Sequence, residues 1–241
     1  MSALDMIDGL IANLEADLGL PAGGLPASTP VPPPANKKRT DKKAAKKAAA
    51  KGKESQKQAA GKGKPADLNM DLPPICHIEF KVGVITKVWV HPDADKLWCE
   101  EIDCGEEQPR QISSGLRPYY DEAGMMGRRL LVVANLKAKN LKGFKSHGMV
   151  LCAAESDGKG GERVQFVEPP EGAPLGEVVQ FEGLTETTPA SAGQVGKKKL
   201  FEAAMEKMKT NDNAEGCWDN HRFMTSAGPC KCIDIKGGVM R

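Results

Sequence analysis

Residues 37–64, KKRTDKKAAKKAAAKGKESQKQAAGKGK, offer a folding chain almost nothing to bury. The stretch holds only Ala, Gly, Lys and other polar residues, and a Pro/Gly segment, PAGGLPASTPVPPPAN, precedes it over 21–36. Segments of this composition cannot close a hydrophobic core and remain extended or weakly helical. Compact structure in the 241 residues must therefore come from beyond about residue 74, and residues 1–20 stand apart from it. The same division exposes a charge pattern that the net charge of +2 conceals. Residues 1–36 carry four acids and no base, and residues 37–64 carry twelve Lys/Arg against Asp41 and Glu54, a net +10. The remainder returns to −4. Lys42, Lys43, Lys46 and Lys47 recur at helical spacing among alanines. Their mutual repulsion keeps such a helix open until anions neutralise it, which marks an arm for a polyanion. The plainer readings are a solubilising spacer or a nuclear-localisation-like signal.

Residues 2–18 place Leu4, Ile7, Ile11, Leu14 and Leu18 on one face of a helix, with Ser2 as its N-cap. Gly9 costs such a helix about 1 kcal/mol relative to Ala, and a lone helix of this length is marginal in water. It needs a partner surface, or else it frays. The expected organisation is an amphipathic helix over 1–20, a disordered linker over 21–73, a globular domain over 74–182 and a small module over 183–241. No run approaches the roughly 20 apolar residues of a membrane span, and no basic flank leads into an apolar stretch at the N-terminus. Seven cysteines at irregular spacings suit reduced thiols and a cytoplasmic location better than a disulfide framework.

From residue 74 the texture changes. Phe80–Val90 reads as a strand, the turn HPDADK follows, and further strands are expected over 97–103, 111–114, 128–134 and 148–153. Pro118 to Gly127 reads as a short helical insert, and 164–167 and 178–181 as smaller strand pieces. Short strands with turn signals between them and one helix in the middle argue for a small β-barrel. Beyond residue 183 a low-complexity bridge, TETTPASAGQVG, leads to a helix expected over 198–209.

Catalytic parts are missing. The carboxylates of HPDADK sit in a Pro-containing turn, where Asp usually serves the backbone. Cys217, His221, Cys230 and Cys232 lack the tight pairs of a structural zinc site. Neither G-x-x-x-x-G-K-[ST] nor G-x-G-x-x-G occurs. No enzyme, metal or cofactor is expected. What stands out is NLKAKNLKGFKSHGMVLC at 135–152, where Lys137, Lys139, Lys142 and Lys145 fall between two apolar runs with no acid among them. Arg128 and Arg129 precede the first of those runs. A solvated loop is the bland reading; a phosphate-binding rim is the sharper one.

The stretch GVITKVWVHPDADKLWCEEIDCGEEQPRQISSGLRPYY, followed by GRRLLVVANLKAKNLKGFKSHGMVLCA, resembles the tRNA-binding module of the endothelial monocyte-activating polypeptide II group. That module also occurs at the ends of some methionyl- and tyrosyl-tRNA synthetases and in free-standing synthetase cofactors. The resemblance spans residues 76–182, with HPDADKL, SGL, VVANLK and the S-x-G-M step in order, and the tail from KKKLFEAAMEKMKTND onward is more loosely similar. It implies a mainly β chain: an OB-fold barrel with an appended small α+β C-terminal module, preceded by a disordered basic arm and a short N-terminal helix. It also implies a monomeric core, because the C-terminal module packs where simpler homologues dimerise. The family's RNA-facing pattern falls on Asn135, Lys137, Lys142, Ser146 and Met149, with Ser113 and Ser114 near the same face. Tyr119 and Tyr120 are the only tyrosines, which favours phosphate and sugar contacts over base stacking. The expected function is an auxiliary factor that delivers or retains tRNA for aminoacyl-tRNA synthetases, docked on a synthetase or its complex through residues 1–20. A scaffold or cytokine-like interaction protein and a general single-stranded RNA binder are the alternatives.

Overall fold

The computed structural model describes residues 68–241. The expected N-terminal helix, the linker through residue 67, and Lys42, Lys43, Lys46 and Lys47 lie outside the described residues.

The longest strand, β1 (Phe80–Val90), is rich in β-branched residues and serves two neighbours. Its first half pairs antiparallel with β4 (Arg129–Val133), from Phe80↔Val133 to Val84↔Arg129. Its second half pairs with β2 (Trp98–Asp103), and the register shifts between Ile85 and Lys87. An extra residue on one strand bends it and tightens its twist, which lets a short sheet curl toward closure. β3 (Arg110–Ser114) extends the sheet beyond β2 and β7 (Met149–Val150) beyond β4, in the order β3-β2-β1-β4-β7. The two edges then meet: His147 N donates to Gln111 O at 2.8 Å, and Ser113 N donates to Ser146 Oγ at 3.1 Å. The result is a mainly β protein built on a nearly closed, barrel-shaped sheet. The expected helical insert contracts to a single turn, α1 (Glu122–Met125), capped by the Asp121 carboxylate and burying Met125 in the barrel.

The strand expected over 148–153 divides at Leu151. Its amide donates to Leu131 O at 2.9 Å, and the chain then crosses from β7 into a second sheet as β8 (Cys152–Ser156). There β8 pairs with β9 (Glu162–Phe166) and joins strands from the tail: β10 (Gln180–Phe181), β11 (Met208–Thr210), β12 (Gly216–Trp218), β13 (His221–Thr225), β14 (Gly228–Pro229) and β15 (Val239–Met240). β4 carries the consequence. Leu130 and Val132 pack inside the barrel with Ile85, Ile102 and Phe166, while Leu131 and Val133 pack with Phe80, Phe201, Phe223 and Met240. A strand buried on both faces reads as an unbroken apolar run, and the LLVV sequence is one. Residues on both sides of position 183 thus share one core cluster.

The helix expected over 198–209 arrives as two. α2 (Ala192–Lys198) begins earlier, at a capping box in which Ser191 and Gln194 satisfy each other's backbone amides. Lys199 breaks it with φ 53°, and α3 (Leu200–Met205) follows before the chain turns into β11. The Ser191–Gln194 capping box lies within TETTPASAGQVG, whose bias toward small and polar residues masks it. Helical periodicity continues smoothly across Lys199, so the break leaves no trace in the pattern.

Candidate nucleic-acid interface

The lysine-rich segment is an ordered β-hairpin rather than an irregular loop. β5 (Lys139–Leu141) and β6 (Phe144–Ser146) pair antiparallel, Leu141 opposite Phe144, around the two-residue turn Lys142-Gly143. Both turn residues have positive φ, 49° and 92°, the geometry that matches strand twist in a type I′ hairpin. Asn140 Oδ1 accepts from Gly143 N at 2.8 Å and braces the turn. Lys137, Lys139, Lys142 and Lys145 are all exposed.

Aromatic packing fixes this hairpin to the barrel. The Phe144 ring meets Trp89 edge-on at 6.0 Å and His91 at 6.2 Å. His91, from the HPDADK turn, is 2% exposed. Its Nδ1 accepts from Asp93 N at 3.1 Å, which leaves Nε2 to donate to Leu141 O at 3.0 Å. The histidine therefore ties one turn to the other. Lys87 lies 5.1 Å from the centroid of the Trp89 ring and adds an exposed cation nearby.

Arg110 holds both feet of the hairpin. One guanidinium nitrogen, Nη1, donates to Ala134 O at 2.7 Å and to His147 O at 3.0 Å. Its other two nitrogens fork onto Glu106 at 2.8 and 2.7 Å. The Arg110 hydrogen bonds, with a further bond from Lys81, hold the Glu106 carboxyl down at about 2. Nothing in the sequence singled out Arg110: GEEQPRQ reads as an ordinary polar turn, and the carbonyls it serves lie 24 and 37 residues away.

Beside the hairpin, Ser114 and Met149 line a groove of about 270 Å³. Beneath Ser114 lies Glu100, fully buried in β2. The Ser114 hydroxyl donates to Glu100 Oε1, while Oε2 has no hydrogen-bond partner. Burial pushes the Glu100 carboxyl up to about 8, with the Ser114 bond working against the rise.

Residues 80–178 match a family model described as a putative tRNA binding domain. The fold also matches the C-terminal domain of Plasmodium vivax p43 with a TM-score of 0.64 at 31% identity, covering 70% of this chain and 100% of that one. The chain belongs to the tRNA-binding domain family. Among curated relatives, a probable methionine–tRNA ligase of Oryza sativa subsp. japonica is 38% identical over 189 residues, 78% of this chain and 23% of that protein. The tRNA-aminoacylation cofactor arc1 of Schizosaccharomyces pombe is 42% identical over 127 residues, 52% of this chain and 27% of its own length. The chain spans between 23% and 34% of the length of the first curated relatives it matches.

The structure turns several of the residues expected to face RNA toward the protein interior. Asn135 is buried, and its amide is spent internally: Oδ1 accepts from Glu79 N at 3.0 Å, and Nδ2 donates to His77 O at 2.8 Å and Ala190 O at 3.0 Å. Ser146 is buried too, donating to Gly148 O at 3.0 Å while accepting from Ser113 N. The Ser113 hydroxyl donates to Trp98 O at 2.9 Å. These three side chains support the base of the hairpin from within, because their hydrogen bonds are made inside the protein. Arg128 and Arg129 lie at the end of β4 opposite the hairpin. Arg128 pairs with Glu168 at 2.6 Å and stacks against Tyr120 and Phe166, and Arg129 donates to Ala173 O. They secure the 168–173 segment instead of joining the lysines. Gly148 of the S-x-G-M step sits at φ 149°, and a Cβ there would lie 3.0 Å from Val133 O, so the chain needs glycine at that crossing.

All seven cysteines are free and buried. Burial pushes the Cys230 and Cys232 thiols up to about 12. Among the described residues no group of three or more His, Cys, Asp or Glu is placed to hold a metal ion.

Proposed function

We propose that this chain is a non-catalytic, cytoplasmic tRNA-binding factor that delivers or retains tRNA for aminoacyl-tRNA synthetases. The observation that supports it best is the hairpin: four exposed lysines on a twisted two-stranded ribbon, held at both feet by Arg110 and at the tip by Phe144 and His91. A rigid comb of ammonium groups meets phosphates with little ordering cost, and repulsion among its members is relieved when a polyanion arrives. Lys137, Lys139, Lys142 and Lys145 contact the tRNA backbone, while Ser114 and Met149 lie against it in the adjoining groove. Asn135, Ser146 and Ser113 position that face. The basic arm at 37–64, including Lys42, Lys43, Lys46 and Lys47, adds sequence-independent contacts and raises the local concentration of tRNA. Residues 1–20 dock on a synthetase. The 183–241 module covers a face of the barrel and keeps the core monomeric.

The test is tRNA binding by the full chain as a function of salt. With arm and hairpin together neutralising about six phosphates, log K falls against log salt with a slope of roughly −4 to −5. Deleting 37–64 flattens the slope but keeps the preference for folded tRNA over unstructured RNA of equal length. Replacing Lys137, Lys139, Lys142 and Lys145 together by Ala erodes that preference. Equal affinity of the wild type for the two RNAs would instead indicate a general single-strand binder.

A further inference from the structure

We propose that the groove beside the hairpin is a subsite for one unpaired nucleotide of tRNA, and that Arg241, delivered by the C-terminal segment, supplies its phosphate contact. The inference rests on the tRNA-binding reading above and gives it a place and a residue that the lysine pattern does not contain.

The route of Arg241 into the barrel's groove is a matter of strand pairing. β15 lies antiparallel to β8, Val239 opposite Ala154 and Met240 opposite Ala153. One residue on, Arg241 N donates to Cys152 O at 2.8 Å, and Cys152 N donates to Arg241 O at 2.9 Å. This backbone clamp sets the guanidinium at the groove's edge, where it donates to Glu162 Oε2. The other oxygen of Glu162 accepts from the Tyr119 hydroxyl at 2.7 Å. An unpaired carboxylate at that edge would repel a phosphate; Arg241 neutralises it. The Arg241 side chain is still 55% exposed, and a guanidinium has five N–H donors, so donors remain for an incoming anion.

The rest of the groove suits a base. Leu116, Met149 and Val164 form an apolar wall, and the Tyr119 ring stands 38% exposed at its rim. Ser114 also lines the groove, and because its hydroxyl proton is directed at the buried Glu100, its oxygen is left as an acceptor. An apolar wall, a half-exposed tyrosine ring, one oriented polar atom and a guanidinium suit an unstacked nucleotide. The volume of about 270 Å³ lies at the lower end of small-molecule sites.

Two substitutions test this without disturbing the scaffold. Arg241→Ala leaves the backbone clamp intact. Gly115→Phe fills the groove from a position whose Cβ has nothing within 4 Å. Filter binding of folded tRNA to the full chain, across a salt series, is the measurement, with urea midpoints confirming that each variant folds. Arg241→Ala is expected to weaken binding about tenfold and to reduce the salt slope by about 1, with Arg241→Lys restoring the slope. Gly115→Phe is expected to weaken binding about tenfold with the slope unchanged. If the wild type binds tRNA and both folded variants match its affinity, the subsite is refuted and the tRNA-binding reading stands. If the wild type binds no tRNA, both fall.

Discussion

Replacing Glu100 by Gln should change how the protein's stability depends on pH more than it changes the structure. Glu100 is fully buried, receives one hydrogen bond from Ser114, and has its second oxygen unpaired. Its carboxyl is raised by burial from 4.5 to about 8. Below pH 4.5 the group is protonated in both folded and unfolded chains and adds no pH dependence. Between 4.5 and 8 the unfolded chain gives up its proton while the folded chain keeps it, so the unfolded state is favoured increasingly as pH rises. Each pH unit in that window costs about 1.4 kcal/mol, so the loss between pH 5 and pH 8 is about 3 kcal/mol. Gln has nearly the same shape and does not titrate. Its amide misfit against an unpaired site adds an offset of about 1–3 kcal/mol, but that offset does not vary with pH. Urea unfolding at pH 5, 6, 7 and 8, followed by tryptophan fluorescence at constant ionic strength, separates the two effects. The stability of the variant relative to the wild type should rise by about 3 kcal/mol across the series, equivalent to roughly 1.5 M in midpoint for an m-value near 2 kcal/mol/M. Parallel profiles for the two proteins would refute the reasoning, because they would mean that Glu100 ionises in the folded protein as easily as in water.

Asn135→Ala should destabilise the fold by about 2–4 kcal/mol, since it strands the Glu79 amide and the Ala190 carbonyl, while the affinity of the folded variant for tRNA stays within about threefold of wild type. A loss of affinity of about tenfold or more in the folded variant, at unchanged slope, would restore Asn135 to the contact surface. Arg110→Gln should leave the hairpin lysines in place but free its feet. Amide exchange across 135–148 should accelerate at least tenfold, and tRNA affinity should fall about three- to tenfold with the slope preserved. Exchange rates equal to wild type would show that aromatic packing at Phe144 suffices.

Much of the architecture is legible in local pattern. The β-branched run of β1, the doubly buried LLVV strand and the polar HPDADK turn carry their own signals, because propensity and side-chain period are properties of neighbours in sequence. The lysine comb is legible for the same reason: four ammonium groups within nine residues can only be solvated or paired with anions. What the residues could not convey is direction. Asn135 and Ser146 stand in the same segment as the lysines, yet they point inward, because barrel closure puts His77, Ala190 and Ser113 within reach. Arg128 and Arg129 match the lysines in charge but lie at the far end of a strand. The hairpin itself was obscured because its turn is Lys-Gly, lacking the Asn-Gly or Asp-Gly that advertises positive φ.

The sequence by itself therefore determined where a core could form, that it would be built of short strands, and which segment would bear concentrated charge. Only the tertiary structure decided which polar side chains serve the fold and which face solvent. It alone brought Arg110 to carbonyls on both sides of the hairpin and set Arg241 beside Tyr119 and Glu162. The physical reason is that these partners lie tens to more than a hundred residues apart, and pairing over such separations is set by strand register and closure of the whole sheet.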